Sequence, residues 1–162
     1  MTTPPLAELV FTRRFHAPRE QVWNLWTDPE HVAKWWGPQG FTTSVQQWEL
    51  RVDGRLQLHL LGKDAKIYSA AGHFREIVAP ERLVIAGEDV GGHPCGAGLP
   101  PHALLTITLT AHGNHTLLTH HTRFDTPAAL VLARQAGYEQ GWSSSLETLA
   151  RQCGMPSADV RL

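Results

Sequence analysis

The sequence predicts an α+β domain: a curved antiparallel sheet of about six or seven strands, with one long helix at the C-terminal end. Three observations carry that prediction. Between residues 42 and 124, short runs alternate apolar and polar residues, as in "RLQLHLL", where Leu56, Leu58 and Leu60 alternate with Gln57 and His59. The connections include the hairpin signals Asp53-Gly54 and Gly113-Asn114, and hairpins make neighbouring strands antiparallel. After Thr126 the period becomes helical, with Tyr138, Trp142, Leu146, Leu149 and Cys153 on one stripe. A helix with one apolar stripe buries it against the sheet.

Each element has a local cause. "ELVFTRRFH" (Glu8–His16) reads as a strand closed by Ala17-Pro18, and Pro18 suits the first position of a helix whose Val22, Trp23 and Trp26 share a face. Asp28-Pro29 ends that helix and starts a second short one, from Glu30 to about Trp35, which Gly37-Pro38 and Gly40 stop. "TTSVQQWELRV", "RLQLHLL", "AKIYSAAGHFREIV", "RLVIAGE", "HALLTITLTA" and "HTLLTHHTRF" are the following strands. Leu56, Leu58, Leu60, Leu105, Ile107, Leu109 and Leu118 are expected to face the long helix, with Gln57 and His59 outward. The Gly91–Pro101 segment, with Gly91, Gly92, Gly96 and Gly98, is expected to be a mobile loop beside a cavity. Thr126 caps and Pro127 opens a helix running to about Gln152. Beside its apolar stripe run Gly137, Gly141 and Ser145; such small residues facing a curled sheet predict a void of a few hundred Å3.

The 162 residues suit one domain, taken as 8–153 with short tails at 1–7 and 154–162. Fourteen Lys plus Arg against 15 Asp plus Glu leave a net charge of -1, which gives no attraction for phosphate backbones, so nucleic acid is not an expected partner. The N-terminus lacks a basic region followed by an apolar run, and no stretch approaches a membrane span; membrane insertion is not expected and the cytoplasm is the default location. Two cysteines, Cys95 and Cys153, make no disulfide framework.

Several side chains suggest chemistry. Trp35 and Trp36 precede a Gly-Pro turn; the expectation is that one ring closes the core while the other faces a cavity mouth. His120 shares a strand face with Leu118, Thr122 and Phe124, which puts it on the concave side, more readily as a hydrogen-bonded core histidine than as a ligand or proton-transfer group; His121 then faces outward. His73, Arg75, Glu49 and Glu76 could supply an acid or base if they pointed inward, although solvent-face pairing is the simpler expectation. His112 and His115 flank a hairpin tip and His93 is close to Cys95, but neither pair has the spacing of further ligands, so no structural zinc and no cofactor is expected. No GxSxG, phosphate-binding glycine loop or HExxH is present.

The segments "APREQVWNLWTDPEHVAKWWGPQGF", "ELRVDGRL", "GHFREIVAPERLV" and "YEQGWSSSLETLA" resemble, in order and spacing, the family of activators of heat-shock chaperone ATPase, within the START-like (SRPBCC) superfamily. In that motif Glu49, Arg51 and Gly54 match, and Asp53 replaces a glycine. The resemblance implies the helix-grip fold, a sheet wrapped around one helix with two short helices after the first strand, enclosing a hydrophobic cavity. Its expected lining is Trp35, Trp36, Phe41, Trp48, Leu58, Phe74, Ile107, His120, Tyr138, Gly141, Trp142 and Ser145. The implied function is binding of a small hydrophobic or aromatic ligand. An enzyme of cyclase, dehydratase or hydrolase type, or a modulator of a chaperone ATPase in the stress response, are the alternatives, and no catalytic constellation is recognisable. A chaperone contact and a homodimer stay open as partners.

Overall fold

The structure, a computed structural model, describes residues 7–89, 96–153 and 158–159, the last two by their backbone alone. In chain order the elements are β1 (Glu8–Phe15), α1 (Arg19–Thr27), α2 (Pro29–Trp35), β2 (Thr42–Trp48), β3 (Arg55–Leu61), β4 (Ile67–Val78), β5 (Arg82–Gly87), β6 (Leu104–His112), β7 (His115–Arg123), α3 (Pro127–Gln135), α4 (Tyr138–Gln152) and the two-residue β8 (Ala158–Asp159). One antiparallel sheet runs β2-β3-β4-β5-β6-β7-β1-β8, so β1 closes onto β7 after the hairpin series. This is the predicted α+β helix-grip architecture.

The strand faces follow the expected alternation. Leu56, Leu58, Leu60, Leu105, Ile107, Leu109 and Leu118 are all buried, while Gln57 and His59 lie half-exposed on the opposite face. β4 departs from strict alternation for a physical reason. Its pairing with β5 slips between Phe74 and Glu76, a bulge that carries Arg75 as the extra residue. Phe74 pairs with Ile85 and Ile77 with Leu83, so both reach the buried side despite their odd spacing. His73 and Glu76 pair with Ala86 and Val84 on the outer face.

The helices begin where the capping residues say. The Asp28 carboxylate accepts from the Glu30 amide at 3.0 Å, and the Thr126 hydroxyl accepts from the Ala129 amide at 3.0 Å. Pro18 serves as the N-cap of α1 rather than its first turn. The long C-terminal helix is corrected to two. Gly137 adopts a left-handed conformation, φ +85°, which a right-handed helix cannot contain, so α3 stops before it and α4 starts after it. Asp53 stands at φ +67°, a left-handed turn position that glycine adopts without strain.

Candidate functional site

α1, α2 and α4 deliver four indoles to one place. Trp26 lies 4.5 Å from Trp35 and 6.1 Å from both Trp36 and Trp142, measured between ring centroids, and Trp36 lies 5.0 Å from Trp142. Trp35 and Trp36 are both 1% exposed, which overturns the expectation that one of them lines a mouth. The backbone explains how adjacent rings share one core. Trp35 is the last helical residue of α2, whereas Trp36 is extended (φ -74°, ψ 117°), and this switch re-aims the second ring to stack on the first, 5.7 Å away and 24° off parallel.

β7 brings His120 against this cluster. Its ring lies 4.3 Å from Trp142, 5.3 Å from Phe11 on β1 and 6.4 Å from Tyr138. It is fully buried, and among the described residues neither ring nitrogen has a hydrogen-bond partner. The expectation of a hydrogen-bonded core histidine is therefore replaced by a buried, unsatisfied one. Desolvation pushes its pKa down to about 3, so the imidazole is neutral, with one donor and one acceptor facing aromatic carbon. Trp26 Nε1 is also buried without a partner among the described residues. Next to His120, Tyr138 shares a buried hydrogen bond with the Thr122 hydroxyl, and burial raises the phenol pKa.

A short loop seals the cluster. Trp36 Nε1 donates to the Ala97 carbonyl at 2.8 Å and Trp142 Nε1 donates to the Gly98 carbonyl at 3.2 Å. The same loop rests on Gly141, where an added Cβ would stand 2.4 Å from the Gly96 carbonyl carbon and 2.6 Å from the Ala97 nitrogen. The void expected in front of Gly141 is thus absent: the missing side chain admits loop backbone. Ser145 ties α4 to the turn after α2, accepting from the Gly37 amide at 3.0 Å and donating to the Gly141 carbonyl at 3.0 Å. Gly91 to Cys95, the first five residues of the stretch expected to be mobile, lie outside the described residues, and with them His93 and Cys95.

The expected lining residues divide accordingly. Trp35, Trp36, Trp142, His120 and Tyr138 pack ring against ring; the loop bonds to Trp36 and Trp142 and rests on Gly141, and Ser145 is buried one turn further along α4. Leu58, Phe74 and Ile107 are buried on the helix-facing side of the sheet. Phe41 and Trp48, both half-buried, have other partners: Phe41 packs on Tyr68, and Trp48 on Phe74 with its Nε1 donating to the Thr27 carbonyl at 2.8 Å. Phe11 and Trp26 were missed as site residues, although Leu9, Phe11, Arg13 and Phe15 alternate inward along β1. An open groove of about 570 Å3 lies between Phe11, Gln39 and the outer face of α4 from Glu139 to Arg151, and none of the expected lining residues borders it.

The outer acid–base candidates are structural. Glu76 pairs with Arg82, and Arg75 lies 3.9 Å from Asp53. The Glu49 carboxylate accepts from the Arg55 amide and from Arg51, and the amide first of all holds its pKa below the usual carboxylate range. Among the described residues no three potential metal ligands converge.

The profile of the family described as Activator of Hsp90 ATPase homolog 1-like protein matches residues 16–153. The chain belongs to this family. Among curated proteins no match was found. Solved structures that resemble this member of the Activator of Hsp90 ATPase homolog 1-like family include a protein from Arthrobacter aurescens, 22% identical, covering 92% of this chain and 87% of that one with a TM-score of 0.81. Protein Ms6760 from Mycobacterium smegmatis is also 22% identical, with 91% and 90% covered and a TM-score of 0.77. An AHSA1-like protein from Aeromonas hydrophila, again 22% identical, has 88% and 90% covered and a TM-score of 0.65. At these identities the likeness establishes the shared fold.

Proposed function

We propose that this family member binds a small hydrophobic or aromatic molecule carrying a neutral hydrogen-bonding group, beneath the Gly96–Leu99 loop and against His120. The observation that carries the reading is the buried, partnerless imidazole. Buried polar atoms are nearly always paired, and an unpaired one marks either strain or a missing partner. A hydroxyl-bearing ring could meet one nitrogen of the neutral imidazole, donating to its bare nitrogen or accepting from its N–H, while its apolar body replaces loop backbone against Trp36 and Trp142. Uptake would require the loop to lift, releasing the two indole N–H groups that hold it. Binding is favoured over catalysis because, among the described residues, no carboxylate hydrogen-bonds to His120 to orient it as a base.

Native mass spectrometry of protein purified from cell extract tests this reading. The expected result is a one-to-one adduct of a few hundred daltons, the size of ligand such pockets hold. A bare chain that also fails to take up 2-naphthol, a neutral aromatic alcohol, would overturn it. The family description favours a second reading, modulation of a chaperone ATPase. An unchanged ATPase rate of an Hsp90-type chaperone in the presence of excess protein would exclude it.

A further inference from the structure

The hairpin-tip histidines acquire a third companion in the fold. At the end of β1, Phe15 pairs with Thr116 of β7, and both are buried on the helix-facing side. Alternation then sends the neighbours, His16 and His115, to the outer face, and their rings meet with centroids 4.5 Å apart at 66°. His115 is in turn the register partner of His112 across the β6–β7 hairpin, so His112 shares its face. Three histidines therefore share one face across three adjacent strand ends, two of them in ring contact. Their backbones are held in place from beneath: the Thr116 hydroxyl donates to the Ala17 carbonyl at 2.7 Å in a buried hydrogen bond that joins the residues next to His115 and His16.

We propose that His16 and His115, with His112 as the third donor, bind a divalent transition cation of the copper, nickel or zinc type. Imidazole nitrogen suits these ions, with metal–nitrogen bonds of about 2.0–2.1 Å for zinc and the strongest binding for copper. Two or three imidazoles leave coordination positions for water, so the site is open rather than structural. The three rings do not yet converge on one point; His16 and His112 are exposed, and rotation about their side-chain torsions brings nitrogens inward without moving the strands. A bound cation ties the end of β1 to the β6–β7 hairpin. Sequence spacing alone hides the site, because His16 lies about a hundred residues from the other two.

Untagged protein titrated separately with CuCl2, NiCl2 and ZnCl2 at about pH 7.5, where imidazole is free to ligate, tests the proposal by calorimetry. One saturable cation per chain is expected, tightest for copper. His115→Ala and His16→Ala each weaken it at least about tenfold, the scale on which even ligand-supporting groups act. The control His31→Ala, on α2, leaves it unchanged. Substoichiometric Cu2+ should broaden the amide signals of residues 15–17 and 110–117 before any others. No saturable binding, the same affinity in His115→Ala, or broadening centred elsewhere would overturn the proposal.

Discussion

His120 sits in aromatic carbon with a pKa near 3, against about 6.5 for an exposed histidine in the unfolded chain. Between those values the unfolded chain holds a proton that the folded protein does not. Stability is therefore full above about pH 6.5 and falls as pH drops toward 3, at up to about 1.4 kcal/mol per unit. Denaturant unfolding at pH 7.5 and pH 5 should differ by about 2 kcal/mol from this residue alone. In His120→Leu that component should vanish, leaving a flatter profile; an unchanged profile would mean the ring is not buried and neutral. Gly141 acts through absence. Gly141→Ala would place a methyl within 2.4–2.7 Å of loop backbone, so denaturation should show a loss of roughly 1–3 kcal/mol from overpacking. His120's inward face was legible from its neighbours Leu118 and Phe124. The lost hydrogen bonds and the loop over Gly141 were not, because both depend on segments distant in sequence.

The loop from Gly96 to Leu99 is the element that decides whether the interior opens. Its described hydrogen bonds to the cluster are two indole N–H groups, and Gly141 gives it a seat. Trp36→Phe removes one of these donors and leaves the buried Ala97 carbonyl unpaired, costing roughly 1–3 kcal/mol. Hydrogen exchange should report faster amides at residues 96–99 while β3 and β6 stay protected; uniform protection would show that the indole does not hold the loop. The α3–α4 break makes a separate prediction. Nothing stands within 4 Å of a Cβ at Gly137, so Gly137→Ala tests backbone strain alone, with a loss of roughly 1–2 kcal/mol in unfolding free energy. The apolar stripe from Tyr138 to Leu149 announced α4 clearly. Its beginning was blurred because the apolar residues of "PAALVLAR" continue a helical reading straight through a glycine whose left-handed φ only the folded chain reveals. The β4 bulge was similarly hidden, because it is set by the register of pairing with β5.

At the scale of the molecule, a sheet wraps helices that fill its concavity with indole rather than leaving it empty. The fold was readable because hairpin turns and strand alternation act locally. The interior was not, since whether four tryptophans pack or line a space depends on where one loop lies. On the reading proposed above, this packed interior opens onto His120 for a neutral aromatic alcohol. The decisive measurement is titration of 2-naphthol, followed by quenching of the tryptophan fluorescence. Saturable one-to-one binding is expected, and His120→Leu should weaken it about tenfold, the equivalent of one hydrogen bond of about 1.4 kcal/mol. Equal affinity in the wild type and His120→Leu, or no saturable quenching in either, would contradict it.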